Sequence, residues 1–566
     1  MKRTCRVSGS IFEVDKSDLA FYERISPRIG GETFALPPPT LCPDERQRRR
    51  LASRNERYLY RTRCAISGKS IVSAYSPDKD LKVCERPAWL ELDNRQFGRD
   101  IDFSRPFFEQ FAELQHDTYK AAVMQDGEMV NSEYVHSCGW LKNCYLLFDS
   151  GKSEDCMYGV FCGYSRSCFD CMYMSHCELC YESFKLDTCY NVLYSAHSKN
   201  CNFGACLYDC IGCSECLCCT GLRNKRHCFQ NTYVGEARFK ELWAYYFADS
   251  FARNEELQAL FKAFLADMPR KALRNLNCEN CLGDDLSRCQ NVHHSFNCIE
   301  AKDCRYCYDI TYKTNDCYDI GTFGENMQFC YELAISGGAL GKSEVSNCYF
   351  SGYIFYGGYN ILYSSHCHEH CKEIFGCSDL RKQEYCILNK QYSKDDYYRL
   401  VAKLIAHMRQ TGEWGEFFPL SISPFGYNES VAQEFYPLPR QQALAIGATW
   451  SEYTAPMTEL RTSIRAQDLP DKLDTTADPA ATAIVCAAMG KPFKLTPQEL
   501  AYYRNLGLAL PRFHPEERHR RRLHWQQPRQ LWKRACAGCS TETLTSFPAQ
   551  TPLQVLCEEC YLKTVQ

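Results

Sequence analysis

Between Cys138 and Cys228 there are 17 cysteines, and 15 of them fall at residue numbers divisible by three; Cys206 and Cys218 alone are out of phase. A period of three fits neither the 3.6 of a helix nor the 2 of a flat strand. It is what a chain coiling with short faces produces, with a small apolar side chain turned inward on every face. Separations of 21, as in Cys156/Cys177, Cys168/Cys189 and Cys189/Cys210, set the expected coil at 21 residues, in the manner of a parallel β-helix. Tyrosines that follow cysteines, as at Tyr145, Tyr181, Tyr318 and Tyr331, are then expected on the opposite face. A second tract from Cys278 keeps this chemistry but slips phase, so its coils should vary in length.

Cysteine is so abundant, 39 in 566 residues, that its use needs an explanation. An odd count in a long chain without an apolar leader argues for thiols and metal over a secreted disulfide framework. A cytoplasmic protein is therefore expected, with no membrane segment, since no run of 18 apolar residues occurs. In the tracts the thiols read as small buried hydrophobes. Three other uses stay open: an iron–sulfur motif in CIGCSECLCC, zinc held by CxxC pairs, and a redox ladder between stacked coils.

The strongest metal signal is Cys536, Cys539, Cys557 and Cys560, two CxxC pairs that supply four thiolates for a tetrahedral, structural Zn2+. This ribbon-like module is the second of two copies. TCRVSGSIFEVDKSDLAFYERI near the start aligns with VCAAMGKPFKLTPQELAYYRNL from residue 485, and CPDERQRRRL (42–51) aligns with HPEERHRRRL (514–523). In the first copy Ser67 and Pro87 stand where Cys539 and Cys560 stand in the second. Cys5, Cys42, Cys64 and Cys84, with Cys486 and His514 in the second copy, are therefore weaker ligand candidates.

Charge follows the duplication. Residues 1–64 and 486–566 each carry six more Lys+Arg than Asp+Glu, whereas the whole chain is at −3, so the middle is acidic. Arg46, Arg48, Arg49, Arg50 and Arg54 in one copy, and Arg518, Arg520, Arg521 and Arg522 in the other, include i, i+4 partners that share a helix face. Such a stripe suits phosphate contacts to RNA or DNA. The competing reading pairs these arginines with the acidic middle of the same chain.

The chain thus reads as mainly β with helices: two parallel β-helix-like solenoid modules flanked by two related zinc-ribbon-type α+β modules. The expected boundaries are 1–99 for the N-terminal degenerate module, 100–234 and 235–411 for two helix-plus-solenoid modules, 412–480 for an extended aromatic and Pro-rich segment with a linker, and 481–566 for the C-terminal zinc module. Ser104 is the expected N-cap of the helix in SRPFFEQFAEL; Ser393, Asp396 and Gly412 should bound the helix after residue 393. The end modules, NKQYSKDDYY (389–398), TGEWGEFFP and SPFGYNESVAQEF together resemble an uncharacterised bacterial family of Cys/Tyr-rich repeat proteins with zinc-ribbon-like ends. The resemblance implies an architecture and no activity. It also implies a CPxC at residue 42 paired with a CxxC at residue 5, whose second cysteines are here Glu45 and Ser8.

No catalytic residue is singled out. SGGALGKS (336–343) is one residue short of a phosphate-binding loop. The leading expectation is a non-catalytic zinc-containing interaction scaffold whose basic ends contact nucleic acid, or a protein partner. The alternatives are a thiol- or metal-responsive protein using the cysteine ladders, and a carbohydrate-active β-solenoid enzyme using Asp303, Asp309, Asp316 and Asp319.

Overall fold

The computed structural model describes residues 1–311, 313–337, 344–454, 462–473 and 480–565. Helices and many short strands alternate, and no helix among the described residues is long and apolar enough to cross a membrane. Two compact units share the chain discontinuously: Met1–Met124 with Leu273–Thr454 and Arg529–Leu531, and Gln125–Ala272 with Ala455–Pro528 and Trp532–Gln566. The SGGALGKS stretch falls largely outside the described residues, as does much of the segment between 455 and 480.

In the second unit the period of three has a backbone cause. From Ser137 to Gln230 every third residue has φ between 42° and 70°, with glycine at only Gly212 and Gly221. A left-handed residue turns the chain, so each triplet is one corner followed by one inward and one outward residue. Asn, Asp and His tolerate this conformation best among residues with a Cβ, and Asn143, Asp155, Asp170, His176 and Asn224 occupy such corners. Fifteen cysteines of the tract fall at the inward positions, which explains their phase. Cys206 and Cys218 are themselves corners (φ 56° and 50°), and the Cys218 thiol reaches the Leu257 carbonyl of the Phe251–Asp267 helix at 3.7 Å.

The chain returns beside itself after 12 residues, not 21. Val160, Met172 and Phe184 pair in parallel, as do Asn202, Ser214 and Arg226. Four triplets make one return. The separations of 21 arise because any two inward positions differ by a multiple of three, whether or not they stack. In the first unit the returns take 12 residues at Leu286/Cys298, 13 at Tyr318/Tyr331 and 18 at Tyr331/Tyr349. These longer returns are why that tract loses its phase.

The inward thiols are donors as well as small apolar groups. Cys156 Sγ donates to the carbonyls of Glu154 at 3.3 Å and Ser165 at 3.4 Å, and Cys168 Sγ does the same to Arg166 and Cys177, both at 3.4 Å. Where serine replaces cysteine the pattern persists, with Ser153 Oγ on Gly151 O at 3.2 Å and Cys162 O at 2.8 Å. A small side chain with one hydrogen to give therefore suits the position, since each corner leaves carbonyls to be satisfied away from water. Burial pushes the Cys156 and Cys168 thiols well above their ordinary pKa, which keeps them protonated.

Each tract ends in the same way. A left-handed pair, Gln230–Asn231 or Leu388–Asn389, reverses the chain into an antiparallel partner, and the asparagine side chain accepts the N–H of Thr220 or Ser378, each at 2.9 Å. This caps the last edge strand. In the first unit Ser393 caps the Lys394–Thr411 helix and Gly412 ends it at φ 74°, as expected. Ser104, however, is no cap. The Phe107–Asp117 helix starts after Pro106, and the Phe107 and Phe108 N–H groups donate to the Glu413 carboxylate at 2.9 and 2.7 Å. Glu413 belongs to the TGEWGEFFP stretch, so the cap comes from 300 residues away and local spacing could not reveal it.

Candidate metal centre

Each copy of the end module is built from a tight turn followed by a helix start, and each copy does this twice. At Cys5, Cys64, Cys486 and Cys536 the cysteine N–H donates to a carbonyl five residues on, at 2.8–2.9 Å. Its own carbonyl accepts the N–H of Gly9, Gly68, Gly490 or Ser540, each a left-handed residue, at 2.9–3.0 Å. The second half is the N-terminus of a helix. Cys42, His514 and Cys557 are N-caps, and Cys84 precedes the N-cap Glu85. At Cys5, Cys64 and Cys536 amide hydrogens from turn and helix start converge on the sulfur and lower the thiol pKa.

Only the last of the four turn–helix pairs keeps all four sulfurs. The Cys536, Cys539, Cys557 and Cys560 ligand atoms all lie within 4.8 Å of one another, and the Cys539 and Cys557 sulfurs are 3.8 Å apart. Four sulfurs at the zinc–thiolate distance of about 2.3 Å stand about 3.8 Å apart in a tetrahedron, so the set fits a metal ion. The Cys557 and Gly538 N–H groups donate to Cys536 Sγ at 3.2 and 3.4 Å. The Cys557 N–H above all pulls the Cys536 thiol down to about 6, while the neighbouring sulfurs of Cys557 and Cys539 push Cys560 up to about 12. Gly538 matters here because a Cβ would sit 3.1 Å from Cys560 Sγ. The strands Trp532–Ala535 and Glu542–Thr545 pair antiparallel ahead of the site, and Val555–Leu556 pairs with Arg270–Lys271. All four positions are filled by protein, leaving none for substrate.

The weaker candidates do not assemble into one centre. Cys5 and Cys42 share one small cluster and Cys64 and Cys84 another, so the four-thiolate site from these residues is not formed. Ser8 Oγ lies 3.8 Å from Cys42 Sγ, where a second ligand of the first turn would be, and Ser67 Oγ bonds Glu85 at 3.2 Å. In the third pair the Glu516 N–H donates to His514 Nδ1 at 3.2 Å, and Cys486 is buried. Glu45 and Glu517, at the lost ligand positions, instead hold Arg48 at 3.0 Å and Arg520 at 2.8 Å.

The two arginine stretches are helices, Pro43–Ala52 and Pro515–Arg522, each with Pro at the first position, acids in the first turn and arginines in the last. That arrangement matches the helix dipole. Their i, i+4 arginines turn inward. Arg46 Nε donates to Asp319 at 3.0 Å, and Arg50 Nη1 to Asp319 at 3.2 Å and Glu332 at 3.1 Å. In the second unit Arg518 pairs with Asp170 and, at 3.2 Å, with Glu499, while Arg522 Nη1 meets Asp170 at 2.8 Å. Asp170, Asp319 and Glu332 are all left-handed corners (φ 52–56°), so one column of corners supplies the carboxylates in each tract. A tyrosine completes the correspondence, with the Arg46 guanidinium 5.0 Å from the Tyr306 ring centre and Arg518 4.7 Å from Tyr158.

Five of the nine arginines read as nucleic-acid contacts, namely Arg46, Arg50, Arg54, Arg518 and Arg522, are therefore buried and cannot reach a phosphate backbone from these positions. Arg54 bonds Thr322 Oγ1. Arg48 and Arg49 are half-buried on Glu45 and Glu416, while the Arg520 and Arg521 side chains stay 72% and 48% exposed. The same helices are held by rings: Phe21 stacks on Tyr318 at 3.4 Å in the first unit, and Tyr502 on Phe169 at 4.0 Å in the second. Tyr318 and Tyr181, which follow cysteines, thus lie against rings of the end-module helices, whereas Tyr190 is exposed. Of the acids considered for sugar chemistry, Asp309 pairs with Arg529, Asp316 with Arg24 at 2.6 Å and Asp319 with Arg46; Asp303 accepts from Asn291 at 2.8 Å.

No family model, curated protein or solved structure matches the chain.

Proposed function

We propose that the protein is a non-catalytic, zinc-containing interaction scaffold of a thiol-reducing compartment such as the cytoplasm. Its two Cys-rich tracts are solenoid walls, each locked by a related end module, and the last module is a zinc ribbon. One observation carries this reading: most of the arginines read as nucleic-acid contacts, and three of the four aspartates considered for sugar chemistry, are held in ion pairs inside their own unit. What remains is a closed four-thiolate centre, which builds structure and leaves no open coordination position.

The thiol- or metal-responsive alternative makes a different metal count. Elemental analysis with absorbance spectra on anaerobically purified protein should give about one zinc per chain, as one closed four-thiolate site requires, and no iron. Several metal ions per chain, or the visible absorption of an iron–sulfur cluster, would favour the alternative over the scaffold.

A further inference from the structure

We propose that Cys5 and Cys42 form a peroxide-sensitive dithiol that closes to a disulfide and ties the first turn to the Pro43–Ala52 helix. The thiols fall into groups by their surroundings. Most of those inside the tracts are enclosed and give their hydrogens to carbonyls, and Cys156 and Cys168 are held protonated; Cys278 and Cys281 are half-buried and donate to Leu276 O and Glu279 O, both at 3.3 Å. The Cys536 group is drawn together as a metal set. Cys84 has no exposed surface and gives its hydrogen to Lys120 O at 3.6 Å, so the second turn presents Cys64 without a free partner thiol.

Cys5 and Cys42 are buried too, but under a thin cover. They pack in one small cluster with Leu41, Ser8 Oγ lies 3.8 Å from Cys42 Sγ, and the residues over them, Val7, Ser8 and Ser10, are exposed. The turn that elsewhere holds a metal thiolate is intact around Cys5, but Ser8 and Glu45 have replaced the other two ligands. Burial raises the Cys5 pKa, yet the Ser8 hydroxyl and the Cys42, Ser8 and Val7 N–H groups outweigh it and bring the thiol down to about 7. Cys42 stays high through burial, which suits a protonated resolving thiol.

The chemistry balances with hydrogen peroxide as the named oxidant. The Cys5 thiolate attacks one peroxide oxygen, giving the sulfenic acid and, after protonation, one water. Cys42 sulfur then attacks the sulfenic sulfur, its proton leaving with the hydroxyl as a second water. Two thiols and one peroxide become a disulfide and two waters. The bond would fasten the N-cap of the helix that carries Arg46 and Arg50.

The test uses the full, zinc-loaded chain, treated with a small molar excess of hydrogen peroxide, alkylated before unfolding and mapped by mass spectrometry. The first product expected is a crosslinked Cys5–Cys42 peptide pair. In Cys42→Ser that product disappears and Cys5 is trapped by dimedone as sulfenic acid, while Cys64→Ser leaves the crosslink unchanged. First oxidation at the Cys536 group or at a tract cysteine, or a Cys5 that stays alkylatable throughout, would overturn the proposal. A dimedone-negative Cys5 in Cys42→Ser that still folds, judged by unchanged hydrogen exchange over residues 43–52, would overturn it as well.

Discussion

Asp170→Ala should destabilise the second unit by about 3–5 kcal/mol, the cost of breaking a buried ion pair from one side. Asp170 has no exposed surface, and both Arg518 and Arg522 rest on it. Removing the carboxylate leaves two enclosed guanidiniums without their shared partner, with Glu499 beside Arg518 and the corner carboxylate of Glu182 near both. An exposed pair such as Lys240–Glu236 is the contrast, since water and salt screen it and its loss should leave stability essentially unchanged. Asp319→Ala in the first unit should have a comparable effect, since Glu332 remains for Arg50 at 3.1 Å as Glu499 and Glu182 remain in the second unit. Hydrogen exchange resolves the effect by segment: protection should fall over residues 497–522 in Asp170→Ala, with residues 43–52 of the same molecule as internal control. Equal protection in mutant and parent would remove the clamp from this account.

Cys557→Ser should abolish metal binding at the C-terminal site and release the hairpin after residue 532. The expected loss is large, because structural four-ligand zinc sites carry roughly 10 kcal/mol of apparent binding free energy that is also folding free energy. The effect should stay local. Glu499 and Asp170 still hold Arg518, so protection over 497–522 should persist while that over 532–565 is lost. A chelator acting on the parent protein should reproduce the same pattern. Zinc retained at one per chain in Cys557→Ser, or an unchanged exchange profile, would contradict the assignment.

The sequence was most readable where a backbone rule repeats. The period of three is the direct trace of a left-handed corner in every triplet, and the two cysteines that break it are themselves corners, of which Cys218 reaches a helix carbonyl. The coil length was misread as 21 because inward positions recur every three residues, and only the strand register distinguishes 12 from any other multiple. The four-thiolate set was legible because its two CxxC pairs carry their own spacing. The arginines were visible but their partners were not. Asp170, Asp319 and Glu332 look like ordinary surface acids until the corner column places them opposite a helix. The aligned triplets Tyr158–Asp170–Glu182 and Tyr306–Asp319–Glu332 were the one available signal, spaced at 12 and 13 residues. Glu413 left no such trace, since a cap supplied by a distant segment has no local pattern.

The two arginine stretches act inside the molecule. Binding of the full chain to single-stranded RNA and to duplex DNA at about 50 and 200 mM salt tests it most directly, because the salt dependence counts phosphates neutralised. Of the nine arginines in these stretches only Arg520 and Arg521 are exposed, so the stretches offer two phosphate contacts at most, and their contribution should lower any affinity by about tenfold or less between the two conditions. A fall of about a thousandfold or more would require six or more contacts. That result, with crosslinks to the nucleic acid mapped to residues 43–54 and 515–522, would mean the buried guanidiniums leave their carboxylates for phosphate, and would contradict the account.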